Sequence, residues 1–228
     1  MNFGIIFAME EELNAFLKDV KVNNNIKIYG LNFYEVLFFN KTLYLVESGV
    51  GKVNAARTCQ VLIDKFHPDY LINVGIAGGI NKSLKVLDIV IGERLVQHDF
   101  DITVFNHPKG YVPKVGDYVE SDKKLLNLAE KIAKDNKISY QKGVIASGDI
   151  FVTSKIDSLK IEKEFSAKCL EMEGASIAQV AYLSNIPFLI IRSISDILGD
   201  NNLLTYDKFL IESSLKIANF LKQILEKI

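Results

Sequence analysis

Short runs rich in Val and Ile, each followed by a stretch with helical spacing, recur along this chain and narrow its architecture more than any other feature. The runs fall at 3–8, 42–48, 70–74, 88–96, 142–147 and 187–192, with a shorter extended piece at 169–172 and a hairpin over 26–39 broken near Gly30. Parallel strands need long crossovers, and helices are the economical way to make them. The alternation therefore predicts an α/β fold with a mixed, largely parallel sheet between helical layers, a three-layer α/β/α arrangement. Helices are expected at 10–18, 52–66, 121–134 and 174–184 and at the C-terminus. In the second, Val53, Ala56, Cys59, Ile63 and Phe66 would form the buried stripe, ended by Pro68. In the last, Ile211, Leu215, Ala218, Leu221, Leu225 and Ile228 would do so. No linker, repeat or low-complexity segment divides residues 1–228, so one domain is expected.

Charge then limits the partners. A net charge of -1 and a pI near 6.3 give no basic footprint for nucleic acid or for an anionic membrane surface. The apolar start, residues 3–8, has no basic segment before it and three glutamates just after it, so it reads as a buried strand, and a cytoplasmic protein is expected. Cys59 and Cys169 are isolated and His67, His98 and His107 match no zinc spacing; neither metal nor cofactor is expected.

In open α/β sheets ligands gather beyond the carboxyl ends of the strands. Four such places carry polar chemistry here: residues 9–12, the glycine-rich 75–79, 171–174 and 192–196. Each has a plain structural alternative. Glu10, Glu11 and Glu12 suit the first turn of a helix, though at 100° per residue only one or two can face a pocket. Glu171 and Glu173 could be salt-bridged, and Asp196 could cap a helix. Gly49-Val50-Gly51-Lys52 has Val46 and Val53 where a phosphate loop needs glycine and Ser or Thr, and Gly75-Ile76-Ala77-Gly78-Gly79 is not a dinucleotide fingerprint; close backbone approach to a compact ligand is what remains.

Taken in order, the motifs Gly4-Ile5-Ile6-Phe7-Ala8-Met9-Glu10-Glu11-Glu12, Ser48-Gly49-Val50-Gly51-Lys52-Val53-Asn54-Ala55-Ala56, Asn73-Val74-Gly75-Ile76-Ala77-Gly78-Gly79, Ser147-Gly148-Asp149-Ile150-Phe151-Val152, Glu171-Met172-Glu173-Gly174-Ala175 and Arg192-Ser193-Ile194-Ser195-Asp196 resemble the bacterial 5'-methylthioadenosine/S-adenosylhomocysteine nucleosidases of the nucleoside phosphorylase superfamily. The resemblance spans nearly the whole chain. It implies the nucleoside-phosphorylase-like fold and hydrolysis of the N-glycosidic bond of 5'-methylthioadenosine, S-adenosylhomocysteine and 5'-deoxyadenosine. Asp196 would protonate N7 of adenine, which needs a raised pKa that burial can provide. Glu12 would activate water, Arg192 would help hold it, and Glu173 would accept from the ribose hydroxyls. Met172 would line the ribose site, Phe151 would stack on the base and Val152 would read its edge through the main chain. Met9, Val50, Ile76, Ala77, Gly78, Glu171, Ser195 and Tyr206 would complete the pocket. Phe105 and Pro113, in the long loop over 98–116, would cover the 5' tail of a neighbouring subunit in a homodimer.

Ile76 replaces a small polar residue common in relatives, Tyr206 a phenylalanine, and His107-Pro108-Lys109 alters the loop, so the resemblance implies the reaction class more firmly than the water geometry or the tail preference. A phosphate-dependent phosphorylase is the alternative within the superfamily. The chain has only Arg57, Arg94 and Arg192 to clamp a dianion, and residues 9–12 put carboxylates where phosphate would sit, which favours water. A nucleoside-binding protein without turnover is the alternative outside enzymes; retention of Glu12, Glu173 and Asp196 speaks against it.

Overall fold

The structure is a computed structural model that describes residues 1–197 and 202–228. Its elements alternate as expected: β1 (Asn2–Phe7), α1 (Glu10–Leu17), β2 (Val22–Ile28), β3 (Leu31–Phe38), β4 (Lys41–Glu47), α2 (Lys52–Phe66), β5 (Tyr70–Gly79), β6 (Ile89–Gln97), a 3-10 turn (Thr103–Phe105), β7 (Val119–Glu120), α3 (Lys123–Asp135), β8 (Tyr140–Ser147), α4 (Lys155–Phe165), β9 (Ala167–Glu171), α5 (Gly174–Leu183), β10 (Phe188–Ile197) and α6 (Asn202–Lys227).

The sheet is mixed. β1 runs parallel to both β4 and β5, and β5 parallel to β10, while β2, β3 and β4 form an antiparallel wing. From β10 the sheet continues through β6, β8 and β9 and returns to β5, so these five strands close on themselves beside the antiparallel wing. Continuous apolar runs make sense because helices cover both faces. Along β10, Leu189 and Ile191 pack with α3 and α6, while Phe188, Ile190 and Ile194 pack with α2 and α5, as the period of two requires. A third, smaller cluster joins Ile161 and Phe165 of α4 to Val144, Ala146 and Leu170.

Four local expectations change. Residues 75–79 and 193–196 are not turns after their strands; β5 and β10 run through them in parallel register, Arg192 opposite Gly75 and Asp196 opposite Gly78. Asp196 is therefore a strand residue. The buried stripe of α2 is Ala55, Thr58, Cys59 and Leu62, with Val53 78% exposed, because the helix is rotated to seat Leu62 on the sheet. In α6 the expected Ala218, Leu221 and Leu225 are buried, joined by Ile217, Phe220 and Ile224, but Ile211 is exposed. Helix α4 was missed altogether: only Ser158, Ile161 and Phe165 are buried, too sparse a stripe to stand out, although Ser154 caps it by accepting from the Asp157 N–H at 3.3 Å.

Candidate active site

A cleft of about 340 Å³ opens at the carboxyl ends of β1, β5, β9 and β10. Its wall contains Met9, Glu12, Val50, Ile76, Ala77, Gly78, Phe151, Val152, Glu171, Met172, Glu173, Ser195, Asp196 and Tyr206, so residues distant in sequence converge as the motifs predict. Ala8, Ile150 and Leu170 also line it. Sequence reasoning missed these three, and adjacency to Met9, Phe151 and Glu171 was their only signal. Phe105 and Pro113 stay outside this wall on the exposed loop, Phe105 with 71% of its surface free.

Glu12 sits on the first turn of α1 with 2% of its surface exposed. Its Oε2 accepts from the N–H groups of Ala8 at 2.9 Å and Met9 at 3.1 Å, and its Oε1 from that of Ile76 at 2.9 Å. Gly75 makes this possible, since a Cβ there would lie 2.6 Å from Glu12 Oε1. Burial raises the Glu12 pKa; the Arg192 charge and the three N–H donors pull it back. The result is a rigid carboxylate of increased basicity at the cleft wall. Of the three consecutive glutamates, Glu10 and Glu11 face solvent and take the bland role.

The two glutamates after β9 divide their roles. Glu171 accepts from Ser147 Oγ on one oxygen; on the other it accepts from the N–H groups of Glu173 at 3.1 Å and Gly174 at 2.7 Å and from Arg192 Nη2. Here the salt-bridge alternative holds. Arg192 itself is 1% exposed and also donates to the Ile191 carbonyl at 2.9 Å and to Asn73 Oδ1. Expected to help hold the reacting water, Arg192 lies behind the cleft wall, because a buried guanidinium needs the carboxylate and carbonyls found there. Glu173 turns the other way. It accepts from the Gly51 N–H at 2.8 Å, and its pKa is pushed up to about 7, first by burial and then by the Glu171 charge.

Asp196 is 1% exposed, and its Oδ1 accepts from Ser195 Oγ at 2.7 Å. Elsewhere in the wall Phe151 meets Tyr206 edge-on, ring centroids 5.6 Å apart, and the Tyr206 hydroxyl donates to Met9 Sδ at 3.3 Å. Burial and the Glu12 charge hold the Tyr206 hydroxyl neutral, its pKa near 12. The ionisable residues of the wall are four carboxyl groups and the Tyr206 hydroxyl, no described wall residue is a cation, and the rest of the surface is mainly apolar. Such a cleft suits an aromatic base with a sugar that gains positive charge. Among the described residues no group of three or more His, Cys, Asp and Glu side chains is arranged to hold a metal ion.

Comparison with known proteins agrees with this geometry. Residues 2–226 match the model of the phosphorylase superfamily. The chain is 38% identical over 229 residues, the full length of both proteins, to 5'-methylthioadenosine/S-adenosylhomocysteine nucleosidase of Oceanobacillus iheyensis. It is 36% identical over 228 residues, again at full coverage of both, to aminodeoxyfutalosine nucleosidase of Campylobacter jejuni. Among solved structures, the Helicobacter pylori 5'-methylthioadenosine/S-adenosylhomocysteine nucleosidase with butyl-thio-DADMe-Immucillin-A superposes with a TM-score of 0.97 at 36% identity, covering 100% of this chain and 99% of that one. With fold, cleft and sequence in agreement, this chain belongs to the phosphorylase superfamily and, within it, to the nucleosidases that hydrolyse N-glycosidic bonds.

Proposed function

We propose that the enzyme releases adenine from 5'-methylthioadenosine, S-adenosylhomocysteine and 5'-deoxyadenosine, with water as the nucleophile. The observation that carries this is the all-acidic cleft: Glu12, Glu171, Glu173 and Asp196 line it while Arg192 is consumed behind it. A phosphate dianion would meet repulsion there, whereas a ribosyl cation would be stabilised. In this reading Asp196 donates the proton to N7 of the departing adenine, a step worth about 10² to 10⁴ in rate. Glu12 takes a proton from the attacking water, its basicity raised by burial. Ionised Glu173 accepts from the ribose hydroxyls. Phe151 stacks on the base, and Val152 meets its edge. Arg192 acts indirectly, holding Glu171 and biasing Glu12 by its charge.

The tail lies toward Met9, Val50, Ile150 and Tyr206, an apolar rim suited to a thioether. We place Phe105 and Pro113 of a second copy over that rim in a homodimer, supported by the exposure of Phe105, Val104 and Val53 on one chain. The chain is read as acting as one domain, in the cytoplasm; no helix among the described residues is long and apolar enough to cross a membrane. The Campylobacter relative, almost as similar as the first, makes aminodeoxyfutalosine a fourth substrate to try.

Adenine release from methylthioadenosine in phosphate-free buffer tests the assignment. Full turnover there is the expected result; a rate that depends on added phosphate overturns the hydrolytic reading. Relative kcat/KM over the four nucleosides then sets the tail preference.

A further inference from the structure

Lysine is a poor choice for the first residue of a helix, where the backbone dipole favours anions, and Lys52 holds that position in α2. The turn before it gives no remedy: Gly51 is the N-cap, at φ 101°, without a side chain, and no acidic residue lies in the first turn. The carboxylates come from elsewhere. Asp149 Oδ1 accepts from the Lys52 N–H at 2.9 Å and Glu173 Oε1 from the Gly51 N–H at 2.8 Å. The Lys52 ammonium then reaches Asp99 Oδ1 at 2.6 Å and Gln97 Oε1 at 3.1 Å, with Asp149 Oδ2 4.0 Å away. Asp99 Oδ2 closes the circuit by accepting from the Asp149 N–H at 2.9 Å. The side chains of Lys52 and Asp99 are 16% and 19% exposed, so water weakens this pairing less than it would on the surface.

Each strut carries a different part of the cleft. The turn before Lys52 bears Val50 and the Gly51 donor, Asp149 precedes Phe151 and Val152, and Asp99 begins the loop that bears Phe105 and Pro113. None of the three clamp side chains lines the cleft. We infer that Lys52, Asp99 and Asp149 are positioning residues, a charged clamp that fixes the base-stacking segment and the sugar-anchoring Glu173 in one mutual register. The inference rests on the role given to Glu173 above.

The test is Lys52→Met, with Lys52→Arg as the conservative control. Loosening the Gly51 N–H from Glu173 removes an interaction that lowers its pKa, against Glu171 and Glu12, which raise it, and Arg192, which lowers it. Ionised Glu173 is the competent form, so activity falls as pH drops through its pKa. The acidic limb of kcat/KM should therefore move to higher pH in Lys52→Met, by about half a unit or more. KM for methylthioadenosine should rise about tenfold while kcat changes less than about threefold, and Lys52→Arg should recover most of both effects. A folded Lys52→Met with unchanged KM and unchanged limb overturns the clamp. Should that variant fail to fold, Asp149→Ala, at a carboxylate 49% exposed, carries the same test. Glu173→Gln separates the two readings: Glu12, as the base, keeps an acidic limb of its own, so the assignment of Glu173 fails if the limb stays unshifted in this variant, and KM alone then judges the clamp.

Discussion

At the residue scale, carboxyl groups that look alike in sequence differ because the fold gives them different surroundings. Asp196→Asn keeps the shape of a buried donor without a transferable proton, so turnover should fall about 10² to 10⁴-fold with little change in adenine affinity. Single-turnover kinetics beside adenine binding checks it, and a near-normal rate would remove Asp196 from the acid role. Glu12→Gln keeps the size of the side chain but turns one acceptor oxygen into an NH2 that faces a backbone N–H, and it cannot take a proton from water; it should be inactive while still binding adenine. Glu173 has a consequence for stability too. Its folded pKa of about 7 lies above its value of 4.5 when free, so its stabilising contribution is complete below about 4.5 and is lost as pH rises through about 7. Glu173→Gln should accordingly melt higher than the parent at pH 8 in the absence of ligand, and the gap should close toward pH 5. A gap independent of pH would show that Glu173 does not titrate in this range.

At the scale of the element, the chemistry depends on how far a strand runs. Gly75 to Gly79 reads as a turn because glycine so often marks one, yet these residues continue β5, and Gly75 exists to let Glu12 come close. Gly75→Ala should displace the carboxylate from its three N–H donors, cost about 1–3 kcal/mol of stability, and lower kcat/KM about 10²-fold. Calorimetry and steady-state kinetics together check this, and normal activity would mean Glu12 has room the geometry denies. The existence of most strands and helices was legible, because two-sided burial writes unbroken apolar runs into the sequence. Their ends and rotations were not. The rotation of α2 onto Ala55, Thr58, Cys59 and Leu62 is a tertiary choice, and α4 buries too little to announce itself. In the cleft, motif order marked nearly every wall residue, but the withdrawal of Arg192 behind Glu171 depends on side-chain partners at β5 and β9 that spacing cannot reveal.

At the scale of the whole molecule, the proposed reading takes the acid, the base and the sugar anchor from one chain and the cover of the 5' tail from a second copy. Phe105 stands free of the core, so Phe105→Ser should leave the melting temperature of an isolated chain nearly unchanged. It should nonetheless reduce kcat/KM for methylthioadenosine more than for adenosine, which lacks the apolar tail. Sedimentation run alongside kinetics checks the shared-site model, and a fully active monomer would refute it. The ring formed by β5, β10, β6, β8 and β9 bears on how any substrate gets in. A closed hoop has no seam to part, so admission has to be managed by the segments that sit on its rim. In deuterium exchange the amides of β5 and β10 should therefore be among the slowest in the protein with or without inhibitor, while those at 148–152 slow down when the cleft is filled.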